Sequence, residues 1–133
     1  YRGLDEVTRG TGRLDRSIRN RLLRQAAALV RALHAARLEH GCLYPKHVMV
    51  QDTWLLTGDE SDGPPVVLID LEKCTHRWRR GACRRRDLDS LNRRADGWSR
   101  TDRRRFLGYY LGAGRRLDPT GRRLWRALAR RAQ

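Results

Sequence analysis

Hydrophobic residues recur at helical spacing in the segment from Ser17 to Arg37. Alanines fill the gaps between them, and arginines occupy the opposite positions. Steps of three and four residues place side chains on one face of an α-helix, so this segment is predicted to form an amphipathic helix. The residues of that stripe are Ile18, Leu22, Ala26, Leu29 and Leu33.

Two short segments further along are rich in β-branched residues. "VMVQ", which begins at Val48, predicts a short strand, and "VVLID" predicts a buried strand that ends in the carboxylate of Asp70. A brief strand is also expected around Trp54 to Leu56, before a turn rich in Gly, Asp, Ser and Pro. The first sixteen residues are polar and rich in turn-forming residues, so no regular element is predicted there.

The second half of the chain predicts three helices. "RRDLDSLNRR" has two leucines on one face, and "SRTDRRRFLGYYLG" begins with Ser99 as N-cap and Asp102 at the third helical position. Gly112 ends that helix, and Pro119 opens the last one. The expected core positions are Leu88, Leu91, Phe106, Leu107, Tyr110, Leu111, Leu124, Trp125 and Leu128. The pattern predicts an α+β, mostly α fold in one domain, residues 1–133, without repeats or long linkers.

The charge balance favours anionic partners. The formal net charge is +15 and the isoelectric point is about 11.4, which suits nucleic acid, an anionic membrane or phosphorylated substrates. Lys46 and Lys73 are the only lysines, so nearly all of the positive charge is arginine. A GC-rich genome would produce the same bias, and both interpretations stay open.

Cysteine usage and the absence of long apolar runs indicate a cytoplasmic protein. The three cysteines give no disulfide framework and suggest a reducing compartment. The longest apolar runs are too short to span a bilayer, so no transmembrane segment is expected. The start of the chain lacks the apolar stretch of a signal peptide.

The loop "LEHGCLYPKHVMV" stands between the long helix and the first predicted strand. With Asp70 at the end of the next strand, this order suits a phosphate and metal site, because a strand-end carboxylate can hold Mg²⁺ beside a polar loop. From the residues alone, Asp70 could equally cap a turn and Cys42 could be a small buried hydrophobic residue. Zinc is not expected, because His40 and Cys42 are separated by only one residue.

The segments "LHAARLEHGCLYPKHVMV", "VVLIDLEK", "RRDLDSLNRR" and "SRTDRRRFLGYYL" together resemble the lipopolysaccharide kinase (Kdo/WaaP) family, in particular its InaA-like members. The resemblance extends from about Leu29 to Leu111. It implies the C-terminal lobe of a protein-kinase-like fold: a helix, a catalytic loop, a short β-hairpin and then three helices.

The resemblance also implies a site and a reaction. The loop with His40, Cys42 and Lys46 would be the catalytic loop that faces the acceptor, and His47 and Asp70 would bind Mg²⁺ and the cofactor ATP. The acceptor would be a sugar hydroxyl of the lipopolysaccharide core, or of another anionic glycolipid. The protein would work in the cytoplasm, peripherally at the inner membrane.

Three departures from the protein-kinase pattern point to an inactive or incomplete chain. Cys42 stands where the family has a catalytic Asp, and a thiol cannot accept the hydroxyl proton unless it is ionised. His47 stands where protein kinases have Asn. No Gly-rich loop and no strand lysine precede the first helix, so the N-terminal lobe is expected to be absent. The chain is therefore expected to be a fragment, with residues 1–16 as the hinge-like segment that leads into it.

Two alternatives follow from these departures and from the charge. The first is a catalytically dead pseudokinase or scaffold, which Cys42 and the missing lobe favour. The second is an arginine-rich nucleic-acid-binding protein, in which Trp78 and its neighbouring arginines would stack on bases. No known nucleic-acid module matches the order of elements, so the second alternative is the weaker one.

Overall fold

The computed structural model describes residues 1–9, 14–78, 80–113 and 116–131, with only the backbone of residues 80–83. In these ranges the helices are α1 (Leu4–Arg9), α2 (Arg16–Ala35), α3 (Asp52–Thr57), α4 (Arg80–Arg94), α5 (Arg100–Leu111) and α6 (Pro119–Arg131). The strands are β1 (Arg2–Gly3), β2 (Leu38–Glu39), β3 (Val48–Val50), β4 (Val66–Leu68) and β5 (Thr75–His76). The predicted α+β, mostly α class is confirmed.

Helix α2 is the centre of the fold and packs along α5. Its existence and bounds agree with the sequence prediction to within two residues at each end. The buried face is rotated from the predicted stripe, since Leu29 and Leu33 are only half-buried. The residues that α2 buries are Leu22, Leu23, Ala26, Ala27, Val30 and His34.

Two small antiparallel sheets flank this helical core. Strands β3 and β4 form the predicted hairpin, with Val48 opposite Leu68 and Val50 opposite Val66. Strand β1 pairs with the other edge of β3, so the order is β1-β3-β4, and β2 pairs with β5 in a second sheet. Strands of two residues have no periodicity to detect, so β1, β2 and β5 had no sequence signal.

Two local predictions were wrong. The segment around Trp54 is helix α3 rather than a strand, because Trp54 and its neighbour Leu55 are both buried, which an alternating strand would prevent. Gly58 ends α3 with φ of 77°. The opening segment also contains regular structure: Leu4 and Val7, three residues apart, bury one face of α1. Of this segment, residues 10–13 lie outside the described part.

Helix α5 begins with the predicted capping box. The Asp102 backbone N–H donates to the Ser99 hydroxyl at 3.1 Å, and the Ser99 N–H donates to the Asp102 carboxylate at 2.9 Å. Arg19 donates to the same carboxylate at 2.9 Å and so connects α2 to α5. Burial alone would raise the pKa of Asp102, but these hydrogen bonds and the Arg19 charge outweigh it and lower the pKa.

The predicted end of α5 and start of α6 are also observed. Gly112 follows α5 in the left-handed conformation, with φ of 66°, and α6 begins at Pro119. In the described ranges, no helix is long and apolar enough to cross a membrane.

Candidate functional site

The polar loop between β2 and β3 runs from His40 to a 3-10 turn at Pro45–His47. Its second residue is Gly41, whose φ is 85°. A Cβ atom at Gly41 would lie 2.7 Å from the Lys73 carbonyl oxygen. The loop therefore lies directly against the segment that follows Asp70, and only glycine fits both the left-handed backbone and this close approach.

His40 is fully buried, its ring nitrogens bond to backbone atoms, and its ring stacks on the His47 ring with centroids 5.8 Å apart. Its Nδ1 accepts from the Cys42 N–H at 3.2 Å, which assigns the proton to Nε2. Nε2 then donates to the Ile69 carbonyl at 2.9 Å. His40 thus connects the loop to Ile69, the residue before Asp70. Both of its ring nitrogens have hydrogen-bond partners, so its role is structural.

Asp87, at the centre of α4, anchors the start of the loop. One carboxylate oxygen accepts from the His40 N–H at 2.8 Å, and the other accepts from the Gly41 N–H at 3.1 Å. His34 Nε2 lies 2.8 Å from the first oxygen, and His34 Nδ1 lies 2.7 Å from the Tyr110 hydroxyl. The Asp87, His34 and Tyr110 side chains are all buried, so a buried hydrogen-bond network holds the start of the loop.

His47 and Asp70 come together at the outer end of the loop. His47 Nδ1 lies 2.7 Å from the Cys42 carbonyl, so it carries a proton, and His47 Nε2 lies 3.2 Å from an Asp70 carboxylate oxygen. Asp70 has φ of 58°, a left-handed conformation that non-glycine residues rarely adopt. The backbone therefore turns sharply at Asp70, and its side chain is 46% exposed beside His47.

The His47 and Asp70 pair offers Mg²⁺ one carboxylate and one imidazole. Proteins usually hold this ion with one or two carboxylates, and water and phosphate oxygens complete the shell. Asp70 supplies such a carboxylate in an exposed position, whereas an imidazole nitrogen is a less suitable ligand than oxygen. Asp70 therefore fits as a Mg²⁺ ligand, and His47 is its neighbour at 3.2 Å. No group of three or more metal-binding side chains occurs in the described residues.

The two cysteines near the loop differ in their surroundings. Cys42 is half-buried, and its backbone N–H and C=O are bonded to His40 and His47. Burial and the negative charge of Asp87 raise the pKa of the Cys74 thiol, so Cys74 stays protonated at neutral pH. Cys83 lies in the range for which side chains are not described.

The family assignment rests on a family-model comparison. The model described as the lipopolysaccharide kinase (Kdo/WaaP) family matches residues 2–110. The chain belongs to that family. No curated protein and no solved structure matches the chain.

The match to the Kdo/WaaP family includes every residue that the sequence had suggested for the site. Direct hydrogen bonds connect His40, Cys42 and His47, and His47 contacts Asp70. Lys46 is not part of this cluster. It is exposed, and its Nζ lies 5.9 Å from the centre of the Tyr44 ring.

Three residues that hold this loop in place were not predicted from the sequence. From the sequence, Asp87 is only part of the helical segment "RRDLDSLNRR", Tyr110 is predicted as a core position, and His34 has no assigned role. A buried Asp following a run of arginines, and a histidine four residues after Val30 on the apolar face of α2, were the available signals. Neither signal reveals the hydrogen-bond partner, because His34 bonds to Asp87 and Tyr110, which are 53 and 76 residues away in the sequence.

Proposed function

We propose that this chain is the acceptor-side and metal-side part of an ATP-dependent lipopolysaccharide-core sugar kinase. The observation that carries the proposal is the His47–Asp70 contact at 3.2 Å, at the end of a loop anchored by Asp87. We also propose that α2, the loop, the β3–β4 hairpin and the later helices correspond to the C-terminal lobe of a protein-kinase-like fold. Family membership and the order of the elements support this reading.

Each site residue has a role consistent with its contacts. Asp70 would hold Mg²⁺, which when bound would neutralise charge on the transferring phosphate. As an imidazolium, with Nδ1–H engaged by the Cys42 carbonyl, His47 would use Nε2–H to orient Asp70 or to donate to a phosphate oxygen. His40 would keep the loop in position. Catalysis of phosphoryl transfer is mostly positioning and electrostatic stabilisation, so a loop built in this way suits it.

Cys42 is the weak point of the proposed site. In the resembling enzymes an Asp at this position accepts the acceptor hydroxyl proton, and a neutral thiol does this poorly. Transfer by this chain is therefore expected to be slow. The proposed acceptor is a sugar of the lipopolysaccharide core or of another anionic glycolipid. The net charge of +15 would attract the chain to an anionic membrane from the cytoplasmic side.

The experiment that tests the metal role is thermal unfolding with and without Mg-ATP. We expect Mg-ATP to raise the melting temperature of the natural chain, because a ligand that binds only the folded state stabilises it. Asp70→Asn should abolish this rise. Asp62→Asn, an exposed carboxylate in the turn before β4, is the matched control. An equal rise in Asp70→Asn and in the control would rule out the proposed role of Asp70.

A catalytically dead pseudokinase or scaffold is the second candidate, and Cys42 is the observation that favours it. Cys42→Asp restores the family residue, and transfer of radiolabelled phosphate from ATP to lipopolysaccharide core oligosaccharide then separates the two candidates. Transfer gained in Cys42→Asp supports a kinase site. No transfer in this variant, together with no Mg-ATP shift in the natural chain, supports the scaffold.

A further inference from the structure

A cleft opens beside the loop at Tyr44, Pro45 and Lys46. It has a volume of about 400 Å³ and lies between α1, the turn with Tyr44 and Pro45, and the end of α4. Pockets of about 300–1,000 Å³ commonly hold small molecules. The charged residues that line it are Asp5, Arg9, Lys46, Arg93, Arg94 and Asp96.

The cleft has an excess of positive charge that its own carboxylates do not neutralise. It contains four cations and two carboxylates. Arg9 pairs with Asp5 at 3.2 Å, and Arg93 is 4.0 Å from Asp89 on its own helix. Among the described residues, neither Lys46 nor Arg94 has a carboxylate within ion-pair distance. An anionic group of a ligand would therefore meet two cations that are not engaged by another charge.

Tyr44 holds these two cations in place and connects them to the proposed transfer site. The Arg94 guanidinium lies 4.0 Å from the centre of the Tyr44 ring, and Lys46 Nζ lies 5.9 Å from it. The same ring stacks on the His47 ring with centroids 5.4 Å apart. One aromatic ring thus separates the cationic end of the cleft from the His47–Asp70 pair.

One carboxylate of the cleft suits hydroxyl donors. Asp96 lines the cleft and is exposed, and no ion pair to its carboxylate occurs among the described residues. A ligand with hydroxyl groups would donate to the Asp96 oxygens, as water does at the surface. Cations and unpaired carboxylate oxygens together match a small polyol with an acid substituent.

We propose that this cleft is an acceptor subsite in which Lys46 and Arg94 bind an acid group, a carboxylate or a phosphate, carried by a sugar. This inference rests on the proposed kinase function, because it uses the neighbouring transfer site to explain why an acceptor would be held there. It adds a selection rule: acceptors with an acid group bind, and neutral sugars of the same size do not. Lys46 and Arg94 are then specificity-determining residues.

The test measures binding to the chain by isothermal titration calorimetry without ATP or Mg²⁺. The probes are galacturonate, galactose 6-phosphate and galactose, which share one ring and differ in the acid group. We expect the two acids to bind and galactose to show no measurable binding. Lys46→Gln and Arg94→Gln should each weaken acid binding about tenfold, the effect of losing one charge-assisted hydrogen bond.

Arg126→Gln is the matched control, since Arg126 is an exposed arginine on α6 outside the cleft. Its affinity for the acids should equal that of the natural chain. A carboxylate ligand is indicated if galacturonate binds more tightly, and a phosphate ligand if galactose 6-phosphate does. Galactose binding as tightly as the acids, or an equal loss in all three variants, would overturn the subsite. So would inorganic phosphate binding as tightly as galactose 6-phosphate.

Failure of the subsite and failure of the kinase function give different results. The subsite fails when acid binding is absent or insensitive to Lys46 and Arg94, whatever Mg-ATP does. The kinase function fails when the Mg-ATP shift is absent or survives Asp70→Asn, whatever the sugars do.

Discussion

Removal of the Asp87 carboxylate is expected to destabilise the fold by about 3–5 kcal/mol, the range for removing one partner of a buried charged network. Asp87 is 1% exposed, and its oxygens accept from two backbone N–H groups at 2.8 and 3.1 Å and contact His34 at 2.8 Å. Each hydrogen bond to a charged group contributes roughly 1.5–3 kcal/mol. The summed energy of these hydrogen bonds exceeds the expected loss of unfolding free energy. The difference arises because removing the carboxylate also removes the cost of burying its charge.

The measurement is urea unfolding of Asp87→Ala followed by circular dichroism. Asp52→Ala is the control, because Asp52 pairs with Arg2 at 2.6 Å but the two side chains are 44% and 49% exposed. Such a surface pair contributes roughly 0–1 kcal/mol. If Asp87→Ala lost no more free energy of unfolding than Asp52→Ala, the assignment of Asp87 as the anchor of the loop would be wrong.

Asp87→Asn keeps the shape of the side chain and covers the case in which Asp87→Ala does not fold. The single amide oxygen still accepts from one of the two backbone N–H groups, but the amide NH₂ then faces the other N–H, which is also a donor. We expect a loss of about 1–3 kcal/mol, the cost of a buried unsatisfied donor. The Mg-ATP shift should fall in parallel, because the amide in Asp87→Asn would hold the His40 and Gly41 N–H groups less firmly than the Asp87 carboxylate does.

Two further predictions concern Asp102 and Gly41. Since the folded-state pKa of Asp102 is lowered, its stabilisation is present above about pH 4 and is lost as pH falls through the folded-state pKa. In urea unfolding, Asp102→Asn should therefore lower the free energy of unfolding by about 1 kcal/mol at pH 7 and by less at pH 3. A difference between variant and natural chain that did not change with pH would contradict this. Gly41→Ala should lose about 1–3 kcal/mol, and more than Gly58→Ala, whose Cβ would meet only the Arg21 side chain at 3.5 Å. An equal loss would show that the Lys73 carbonyl does not restrict the loop.

Local sequence signals predicted a large part of the fold. Helix α2, the β3–β4 hairpin, the Ser99–Asp102 cap and the start of α6 at Pro119 were all recognisable, because periodicity and caps act over a few residues. The same signals failed at α3 and α1. In both, two or three buried side chains decide the conformation, and such short segments do not show a helical period.

The candidate site was predicted by residue type but not by arrangement. The family resemblance singled out five residues. His40, Cys42, His47 and Asp70 lie together, whereas Lys46 lines the basic cleft beside the loop. What each ring nitrogen contacts depends on backbone atoms from distant segments, such as the Ile69 carbonyl that His40 meets.

By itself, the sequence determined the fold class, the main helices, the family and the residue types of the loop. Only the tertiary structure decided that Asp87 and His34 anchor the loop, and that Tyr44 separates a basic cleft from the His47–Asp70 pair. The physical reason is range. Helix periods and caps are set by neighbours within four residues, whereas these contacts form only after α2, α4 and α5 pack together and exclude water.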